Sequence, residues 1–396
     1  MKVLAVHNYY QEPGGEDVVF ESETALLEAS GHAVIRYTAH NADIGTGGTA
    51  AHAIRAIWNA EAVRSVARVI RETGPDVMHV HNTLAVLSPA VYGAANKAGV
   101  PVVHTLHNYR MLCPGATLYR DGAICEACVG RRASWPAVVH GCYRGSAAAS
   151  AVVAAIRPTH EALGTWRGMS RYIALTEFAK EKFVAGGLRR DRITVKPNFV
   201  HPDPGVGAHQ GGYVLFAGRL SPEKGIRTLL AAAARVQSPS FRLKVVGDGP
   251  LRGTPMPPRV EWLGHRSRAE VHALMQEAAV LVFPSEWYET FGVTLIEAFA
   301  TGLPVLGSCL GAIAEIVTDN VTGRHFSPGD ASDLASKIDW ALSHPDEMCR
   351  MGRRCRAEFE ARYTARQNYA QLMEVYRAAV HDAGSGAQCK TECPVA

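Results

Sequence analysis

The chain has 396 residues, of which 47% are hydrophobic and 20% charged, and its formal net charge is +4 at pH 7. This composition is typical of a globular protein with two or three domains, and without a dense run of Lys or Arg it disfavours a dedicated nucleic-acid binder. The apolar run at 3–6 is shorter than the roughly 7–15 residues of a signal sequence, and the Ala-rich stretch at 147–156 is too short to span a bilayer. We therefore expect a cytoplasmic protein with reduced cysteines, and peripheral contact with the inner face of a membrane stays open.

Short β-branched runs alternate with amphipathic stretches along the chain, which predicts βαβ units and parallel sheets. The predicted strands are 3–6, 33–37, 77–80, 102–106, 172–175 and 193–195 in the first half, and 214–217, 243–246, 260–263, 280–283 and 304–306 in the second. The predicted helices include 62–71, 226–236, 293–300, 331–342 and 363–380.

The segment 198–212 is rich in Pro and Gly, has no hydrophobic periodicity and is composed like a linker. It separates a domain at 1–200 from a domain at 201–360, which are followed by a helix at 361–382 and a frayed tail at 383–396. We expect two Rossmann-like α/β domains whose strands present their carboxyl ends to a central cleft, where such folds bind ligands.

Gly14 and Gly15 follow the first predicted strand within the sequence Glu-Pro-Gly-Gly-Glu-Asp at 12–17, and a helix begins after them. Glycines at this point let a ligand approach the backbone and the amino terminus of the helix closely. The alternative is a bare turn between strand and helix that binds nothing.

Four histidines lie within or directly after two predicted strands: His79, His81, His104 and His107. A histidine in a strand is usually a hydrogen-bonded core residue, so we expect only some of the four to be functional. The odd spacing of His104 and His107 predicts that they face opposite sides of the pleat.

Four cysteines follow these histidines, and Cys125 and Cys128 have the spacing of two zinc ligands. Cys113 and Cys142 can complete a four-thiolate structural site that pins a loop. The alternative is four reduced thiols that pack as small hydrophobic side chains.

The strand at 214–217 ends in a glycine-bearing loop that contains Gly218, Arg219 and Lys224. Two cations at the carboxyl end of a strand can neutralise one pyrophosphate without a metal. Two solvated loop cations are the ordinary alternative.

Two further strand ends carry glycines. Gly247 and Gly249 follow the strand at 243–246, but the third glycine of a dinucleotide-binding fingerprint is missing. Gly264 ends the next strand, where the backbone can border a nucleotide base.

The segment 284–298 runs from a strand through a polar loop and Gly292 into an apolar helix. The amino terminus of that helix offers unpaired N–H groups and a positive dipole end to a phosphate. Glu297 lies inside the helix, where a carboxylate needs a hydrogen-bond partner. A ribose diol is one such partner, and a buried arginine is the alternative.

Taken in order, these motifs resemble the retaining glycosyltransferases of family 4, whose donor domain carries a Glu-x7-Glu motif that is Glu289 and Glu297 here. The likeness extends through 218–225, 246–250 and 301–323. It implies a GT-B fold in which the helix at 361–382 packs back on the first domain. It also implies a hexosyltransferase of the cell-wall or surface-polysaccharide type.

The resemblance implies a role for each matching residue. Glu289 holds hydroxyls of the donor sugar, and Glu297 holds the ribose. His107 lies beside the sugar and stabilises developing charge rather than removing a proton. The other donor-binding positions are cations and backbone groups: Arg219, Lys224, Phe291, Gly292, Val293, Gly14, Gly15, Gly218, Gly247 and Gly264.

We therefore expect metal-independent, retaining transfer of a hexose from a GDP- or UDP-sugar to a glycan or a lipid-linked acceptor. No Asp-x-Asp motif occurs, so no catalytic cofactor is predicted, and any zinc would be structural. The alternatives are a glycosidase, a nucleotide-sugar epimerase of the same layout, a Rossmann dehydrogenase and a nucleotide-sugar-binding scaffold without turnover. The mildly basic helix at 146–166 fits either a membrane surface or an ordinary core.

Overall fold

The computed structural model of the protein describes residues 1–11, 14–43 and 49–391. Its strands are, in chain order, β1 (Lys2–Tyr9), β2 (Ala33–His40), β3 (Val77–Val80), β4 (Val102–Thr105), β5 (Tyr119–Arg120), β6 (Ala123–Ile124), β7 (Arg171–Ala174), β8 (Ile193–Val195), β9 (Val214–Ala217), β10 (Leu243–Val246), β11 (Val260–Gly264), β12 (Val280–Phe283), β13 (Val305–Ser308) and β14 (Gly323–Phe326).

Its α-helices are, in chain order, α1 (Gly15–Ala29), α2 (Thr49–Ile57), α3 (Ala60–Thr73), α4 (Val91–Lys97), α5 (Trp135–Val139), α6 (Ala147–Ala162), α7 (Glu177–Ala185), α8 (Ile226–Ala233), α9 (Arg268–Glu277), α10 (Val293–Thr301), α11 (Gly311–Ile316), α12 (Ala331–Ser343), α13 (Pro345–Arg362) and α14 (Ala365–Thr391). No helix in the described ranges is both long enough and apolar enough to cross a membrane.

The chain forms two compact units. Unit 1 contains residues 1–117, 126–196 and those from 369 onward, and unit 2 contains residues 118–125 and 197–368. The unit boundary after residue 196 lies next to the predicted linker. The hairpin β5–β6, which we did not predict, belongs to unit 2 although the first half of the sequence encodes it.

Each unit holds one six-stranded sheet in which all the strands are parallel. The order in unit 1 is β2-β1-β3-β4-β7-β8, and the order in unit 2 is β11-β10-β9-β12-β13-β14. The second order is that of the Rossmann fold, and the first is that of its flavodoxin-like variant. The prediction of two Rossmann-like α/β domains is therefore confirmed.

Helix α14 explains the apolar stripe near the end of the sequence. Leu372, Met373 and Tyr376 are buried, and they pack in the core of unit 1 with Val3 and Ile173. The helix continues to residue 391, so residues 383–391, which we expected to be a frayed tail, are helical. The end of that predicted tail, 392–396, lies outside the described residues.

Candidate active site

The predicted donor-binding residues of unit 2 lie where its strand order reverses. Strands β9 and β12 are neighbours in the middle of the sheet, and β10 lies on the other side of β9. In open α/β sheets, ligands bind at such a reversal, beyond the carboxyl ends of the strands. The loops that follow β9 and β12 contain Arg219, Lys224 and Glu289.

Glu289 is buried and is held by two donors. The Lys224 Nζ atom lies 2.6 Å from Glu289 Oε1, and the Ser285 hydroxyl donates to the same oxygen over 2.8 Å. Lys224 also lies over the ring of Trp287, 5.3 Å from its centroid. This arrangement places one cation and one carboxylate side by side, whereas Arg219 is exposed on the same loop.

Three of the predicted glycines bring the loops of unit 2 together. The N–H of Gly247 donates to the Gly264 carbonyl over 2.9 Å, and the N–H of Gly218 donates to the Val246 carbonyl over 3.0 Å. Gly247 has a φ of +133°, and an added Cβ would lie 1.9 Å from the Gly218 carbonyl oxygen. Close packing therefore requires glycine at 247, and contact of these glycines with a donor stays a prediction.

Helix α10 begins beside these loops. Its N-cap is Gly292, which has a φ of +93°, and the Phe291 side chain is buried against the ring of Tyr363 at 6.1 Å. Because the Phe291 ring is buried in the core, a ligand can contact Phe291 only through its backbone. The Leu295 N–H donates to the Gly292 carbonyl over 3.0 Å. The amino terminus of the helix carries the positive end of its dipole.

Glu297 pairs with an arginine, as in the alternative that its position inside the helix left open, but that arginine is not buried. The Arg268 Nε atom donates to Glu297 Oε1 over 2.8 Å, and His272 Nε2 lies 3.3 Å from the same oxygen. The Arg268 side chain is 34% exposed and that of Glu297 is 12% exposed, so a largely buried carboxylate pairs with a partly exposed arginine. Ribose binding by Glu297 stays a prediction.

In unit 1, His107 follows β4 and borders a cavity of about 80 Å³ whose lining includes His81, Tyr92 and Trp166. The Tyr92 hydroxyl lies 3.3 Å from His104 Nδ1, and His104 lines the same cavity. The prediction that His104 and His107 face opposite sides was therefore wrong. Strand β4 ends at residue 105, so the alternation of the pleat does not extend to His107.

The glycine loop after β1 is held by Asp17. One oxygen of Asp17 accepts the Gly14 N–H over 2.8 Å, and the other lies 2.7 Å from His7 Nε2. An added Cβ at Gly15 would meet no atom within 4 Å. Packing among the described residues therefore does not require glycine at 15, and ligand binding there stays a prediction. Residues 12 and 13 of the motif lie outside the described residues.

Glu16 and Asn108 form a contact that sequence reasoning missed. Asn108 Nδ2 donates to Glu16 Oε2 over 3.1 Å. Burial raises the pKa of Glu16 to about 7, although Arg110 and Asn108 oppose the shift. The sequence did contain a clue to this contact, because each residue lies next to a predicted site residue. Glu16 follows Gly14 and Gly15 at the start of the helix, and Asn108 directly follows His107.

The structure brings only some of the four predicted cysteine ligands near one another. Cys113 and Cys142 both lie near Gly115, whose added Cβ would be 3.7 Å from Cys113 Sγ and 3.6 Å from Cys142 Cβ. Within the described ranges, Cys113, Cys128 and Cys142, which all belong to unit 1, do not bring their sulfurs within 4.8 Å of one another as a group. The four-cysteine zinc site that includes Cys125 stays a prediction, and the distances between the sulfurs do not support it.

The two sheets and their strand orders are those of the GT-B class of glycosyltransferases. The profile of the family described as Glycosyltransferase Family 4 matches residues 14–204, and that of Glycosyl transferases group 1 matches residues 206–358. The chain belongs to this family of glycosyltransferases.

Curated relatives match part of the chain. The glycogen synthase of Mycobacterium tuberculosis is 30% identical over 182 residues, which are 42% of this chain and 42% of that protein. The phosphatidyl-myo-inositol mannosyltransferase of the same organism is 32% identical over 194 residues, which are 45% of this chain and 49% of that protein. The match thus spans less than half the length of these relatives.

Solved structures match nearly the whole chain. Anabaena HepE in complex with UDP has a TM-score of 0.67 at 19% identity, over 96% of this chain and 100% of that one. WaaG, a glycosyltransferase involved in lipopolysaccharide biosynthesis, has a TM-score of 0.65 at 19% identity, over 94% and 99% of the two chains. These likenesses show the GT-B fold.

Proposed function

We propose that the protein transfers a hexose from a UDP- or GDP-sugar to an acceptor hydroxyl, with retention at the anomeric carbon and without a metal. One observation carries this proposal: Lys224 and Glu289 pair at the reversal of strand order in unit 2, beside the amino terminus of α10. A cation and a helix amino terminus can bind the diphosphate of a nucleotide sugar, and a carboxylate can accept hydrogen bonds from its sugar hydroxyls.

In the proposed reaction, the bond between the anomeric carbon and the diphosphate oxygen breaks, and a bond to the acceptor oxygen forms on the same face. The proton of the acceptor hydroxyl passes to the leaving phosphate oxygen. Negative charge grows on the diphosphate, where Arg219, Lys224 and the first turn of α10 stabilise it. Glu289 accepts hydrogen bonds from sugar hydroxyls once Lys224 has turned to the phosphate.

The relatives support the donor class and the pathway. HepE has been solved with UDP and with UDP-glucose, and one curated relative is named for the transfer of mannose. WaaB and WaaG are named for lipopolysaccharide synthesis, and a protein of the Klebsiella pneumoniae cps region is 24% identical over 269 residues. We therefore place the reaction in the synthesis of a surface polysaccharide.

The donor is tested by a thermal-shift screen against UDP, GDP, ADP and their sugar conjugates, with and without EDTA. A ligand that binds only the folded protein raises its melting temperature in proportion to the logarithm of its concentration over Kd. We expect one base to stabilise the protein equally with and without EDTA, and Glu297→Gln to remove the shift. Glu270→Gln, an exposed carboxylate of α9, is the matched control. A screen without any shift contradicts the proposal, and EDTA that destabilises the unliganded protein supports the cysteine-bound metal.

We further propose that the acceptor is lipid-linked and that unit 1 contacts an anionic membrane surface. The support is a patch of exposed apolar side chains among arginines, which we call the basic apolar patch. Its members are Ile54, Trp58, Trp135, Val139, Leu163, Arg131, Arg132 and Arg144.

Contacts join the parts of the basic apolar patch. Trp58 stacks on His160 of α6 at 5.8 Å, and Glu161, the next residue, lies 3.6 Å from Arg132. Arg131 then lies over the ring of Trp135, which is 57% exposed. Exposed tryptophan and aliphatic side chains within a cationic rim suit the interface of an anionic bilayer.

Flotation with vesicles tests this contact. Wild-type protein is expected to float with phosphatidylglycerol vesicles but not with phosphatidylcholine vesicles, and Trp135→Ala with Val139→Asp should weaken the binding at least about tenfold. Val206→Asp in unit 2, at a valine that is 60% exposed, is the control. Equal flotation of the patch variant and the control contradicts membrane contact through this patch.

A further inference from the structure

A buried polar chain lies behind His107 in unit 1. Glu23 of α1 and Lys196 after β8 are each 1% exposed, and Lys196 Nζ lies 2.7 Å from Glu23 Oε2. The other carboxylate oxygen lies 3.2 Å from His79 Nδ1 and 3.5 Å from His81 Nε2. One carboxylate thus faces a lysine on one side and two histidines on the other.

Glu23, His79 and His81 also form a cluster of three potential metal ligands. The ammonium of Lys196 already supplies the positive charge that a metal would bring to this carboxylate. His79 has further partners of its own, because the Tyr376 hydroxyl lies 2.8 Å from Nδ1 and the Thr105 hydroxyl lies 2.8 Å from Nε2. The ion pair with Lys196 and the hydrogen bonds of His79 therefore explain the cluster without a metal. Glu23 Oε1 itself has no hydrogen-bond partner among the described residues, so it acts on the two imidazoles through its charge.

His81 connects this network to His107. Its Nδ1 atom lies 2.9 Å from His107 Nε2, and the two rings stack at 5.1 Å. Only one of those two nitrogens can carry the proton of their hydrogen bond. The direction of that bond depends on which nitrogen of His81 is protonated.

Charge decides the tautomer of His81. Burial by itself raises the pKa of Glu23, but Lys196 and the two histidines outweigh it and hold that pKa well below its ordinary value. Burial, together with His79, lowers the pKa of His81 to about 3. Burial, together with His81, lowers the pKa of His107 well below its ordinary value. An ionised Glu23 therefore faces a neutral His81, which in turn contacts a neutral His107.

A neutral His81 beside a carboxylate keeps its proton on Nε2, because the opposite tautomer would turn a lone pair toward negative charge. Its Nδ1 is then an acceptor, so His107 must donate from Nε2. A neutral His107 that is protonated on Nε2 has an acceptor at Nδ1. The direction of the hydrogen bond between His81 and His107 thus follows from the charge of Glu23.

We propose that Glu23 and His81 are positioning residues that fix His107 as the Nε2-protonated tautomer, so that its Nδ1 accepts a hydrogen bond from a hydroxyl of the donor sugar. The second part of this statement rests on the proposed function, in which His107 lies beside that sugar. The first part is a property of the protein without any ligand. Fixing of an imidazole tautomer by a carboxylate is an established way to support catalysis.

The test compares two double variants that both remove the buried ion pair. Glu23→Leu with Lys196→Met removes the acceptor that faces His81, whereas Glu23→Gln with Lys196→Met keeps an amide oxygen there. The tautomers are read from the ¹⁵N shifts of the imidazoles in histidine-labelled, unliganded protein, and His107→Asn identifies the His107 signals. Far-ultraviolet circular dichroism shows that each variant is folded.

We expect a single Nε2-protonated His107 in the wild type and in the Gln/Met variant, and a mixture of tautomers in the Leu/Met variant. The Leu/Met variant should also lose about tenfold in kcat with little change in the donor KM, and the Gln/Met variant should regain most of it. A His107 protonated on Nδ1 in the wild type, or the same tautomer in all three proteins, overturns the inference. Failure of every nucleotide sugar to bind or react would instead overturn the proposed function, because the shifts are measured without a donor.

Discussion

Lys224 and Glu289 lie side by side in unit 2, with 2.6 Å between the ammonium nitrogen and one carboxylate oxygen. The two residues that the sequence assigns to the diphosphate and to the donor sugar thus neutralise each other. In the proposed reaction, a diphosphate that pairs with Lys224 makes the Glu289 carboxylate available to sugar hydroxyls. We therefore expect binding of the nucleotide part and binding of the sugar part of the donor to be coupled through this ion pair.

Replacement of Lys224 by Ala should lower kcat/KM for the donor roughly 100-fold, because a cation at a developing negative charge contributes about 3 kcal/mol to the transition state. The measurement is steady-state release of the nucleotide diphosphate. Lys337→Ala, which removes a cation near Asp333 on α12, is the control and should stay within about twofold of the wild type. Equal rates in the two variants would remove Lys224 from the site.

Substitution of Gly247 tests the close packing of the loops that follow β9 and β10. Gly247→Ala should destabilise unit 2 by about 2 kcal/mol or more, because its Cβ would lie 1.9 Å from the Gly218 carbonyl oxygen. Gly253→Ala has no atom within 4 Å of the added Cβ and should change stability by less than about 0.5 kcal/mol. Urea denaturation measures both variants, and equal midpoints would contradict the described loop contact.

Glu16 should make the stability of the protein depend on pH. Its pKa in the folded protein is about 7 against an ordinary value of 4.5, so the folded protein keeps a proton that the unfolded chain releases between these values. Stability should therefore fall as the pH rises from about 5 to 7.5. Glu16→Gln should reduce this fall by about 1–2 kcal/mol.

Denaturant titrations of the wild type and of Glu16→Gln at pH 5 and pH 7.5 measure the effect. Glu72→Gln, at an exposed position of α3, is the control and should show the pH response of the wild type. An identical response in Glu16→Gln would show that Glu16 ionises freely.

Lys196→Met should destabilise the protein by about 3–5 kcal/mol at pH 7, because it leaves the buried Glu23 carboxylate without its cation. Lys182→Met, which breaks the more exposed pair with Glu126, should cost less than about 1 kcal/mol. The pKa of Glu23 is depressed, so its pair with Lys196 contributes above the unfolded pKa of about 4.5 and is lost as the pH falls through the folded value. The cost of Lys196→Met in chemical denaturation should therefore shrink on acidification, and a cost that does not change with pH would contradict a charged pair.

The fold was predictable where buried strands are continuous apolar runs. Val214–Ala217 and Val280–Phe283 are strands with the predicted bounds, because continuous apolar runs of that length fit a sheet covered on both faces. Strand β14 was missed because Arg324 and His325 interrupt its pattern, which an edge strand tolerates. The two-residue strands β5 and β6 are too short to leave a periodic signal.

The sequence predicted which residues belong to the site, but not which of them contact one another. The reversal of strand order placed Lys224 and Glu289 on neighbouring loops, but their ion pair joins residues that are 65 positions apart in the sequence. An arginine partner for Glu297 was one of two alternatives, and sequence spacing could not select Arg268, which lies on another helix. The network of Glu23, His81 and His107 depends on three elements that converge only in the folded unit.

Retention at the anomeric carbon is tested by a proton NMR time course with the nucleotide sugar that the thermal-shift screen selects. We expect the sugar to leave the donor first, to acceptor or to water, with its anomeric configuration retained. Lys224→Ala should suppress this reaction, and Lys337→Ala should not. Release of the inverted anomer first, or no consumption of any nucleotide sugar that binds, would contradict the assignment of this protein as a retaining glycosyltransferase.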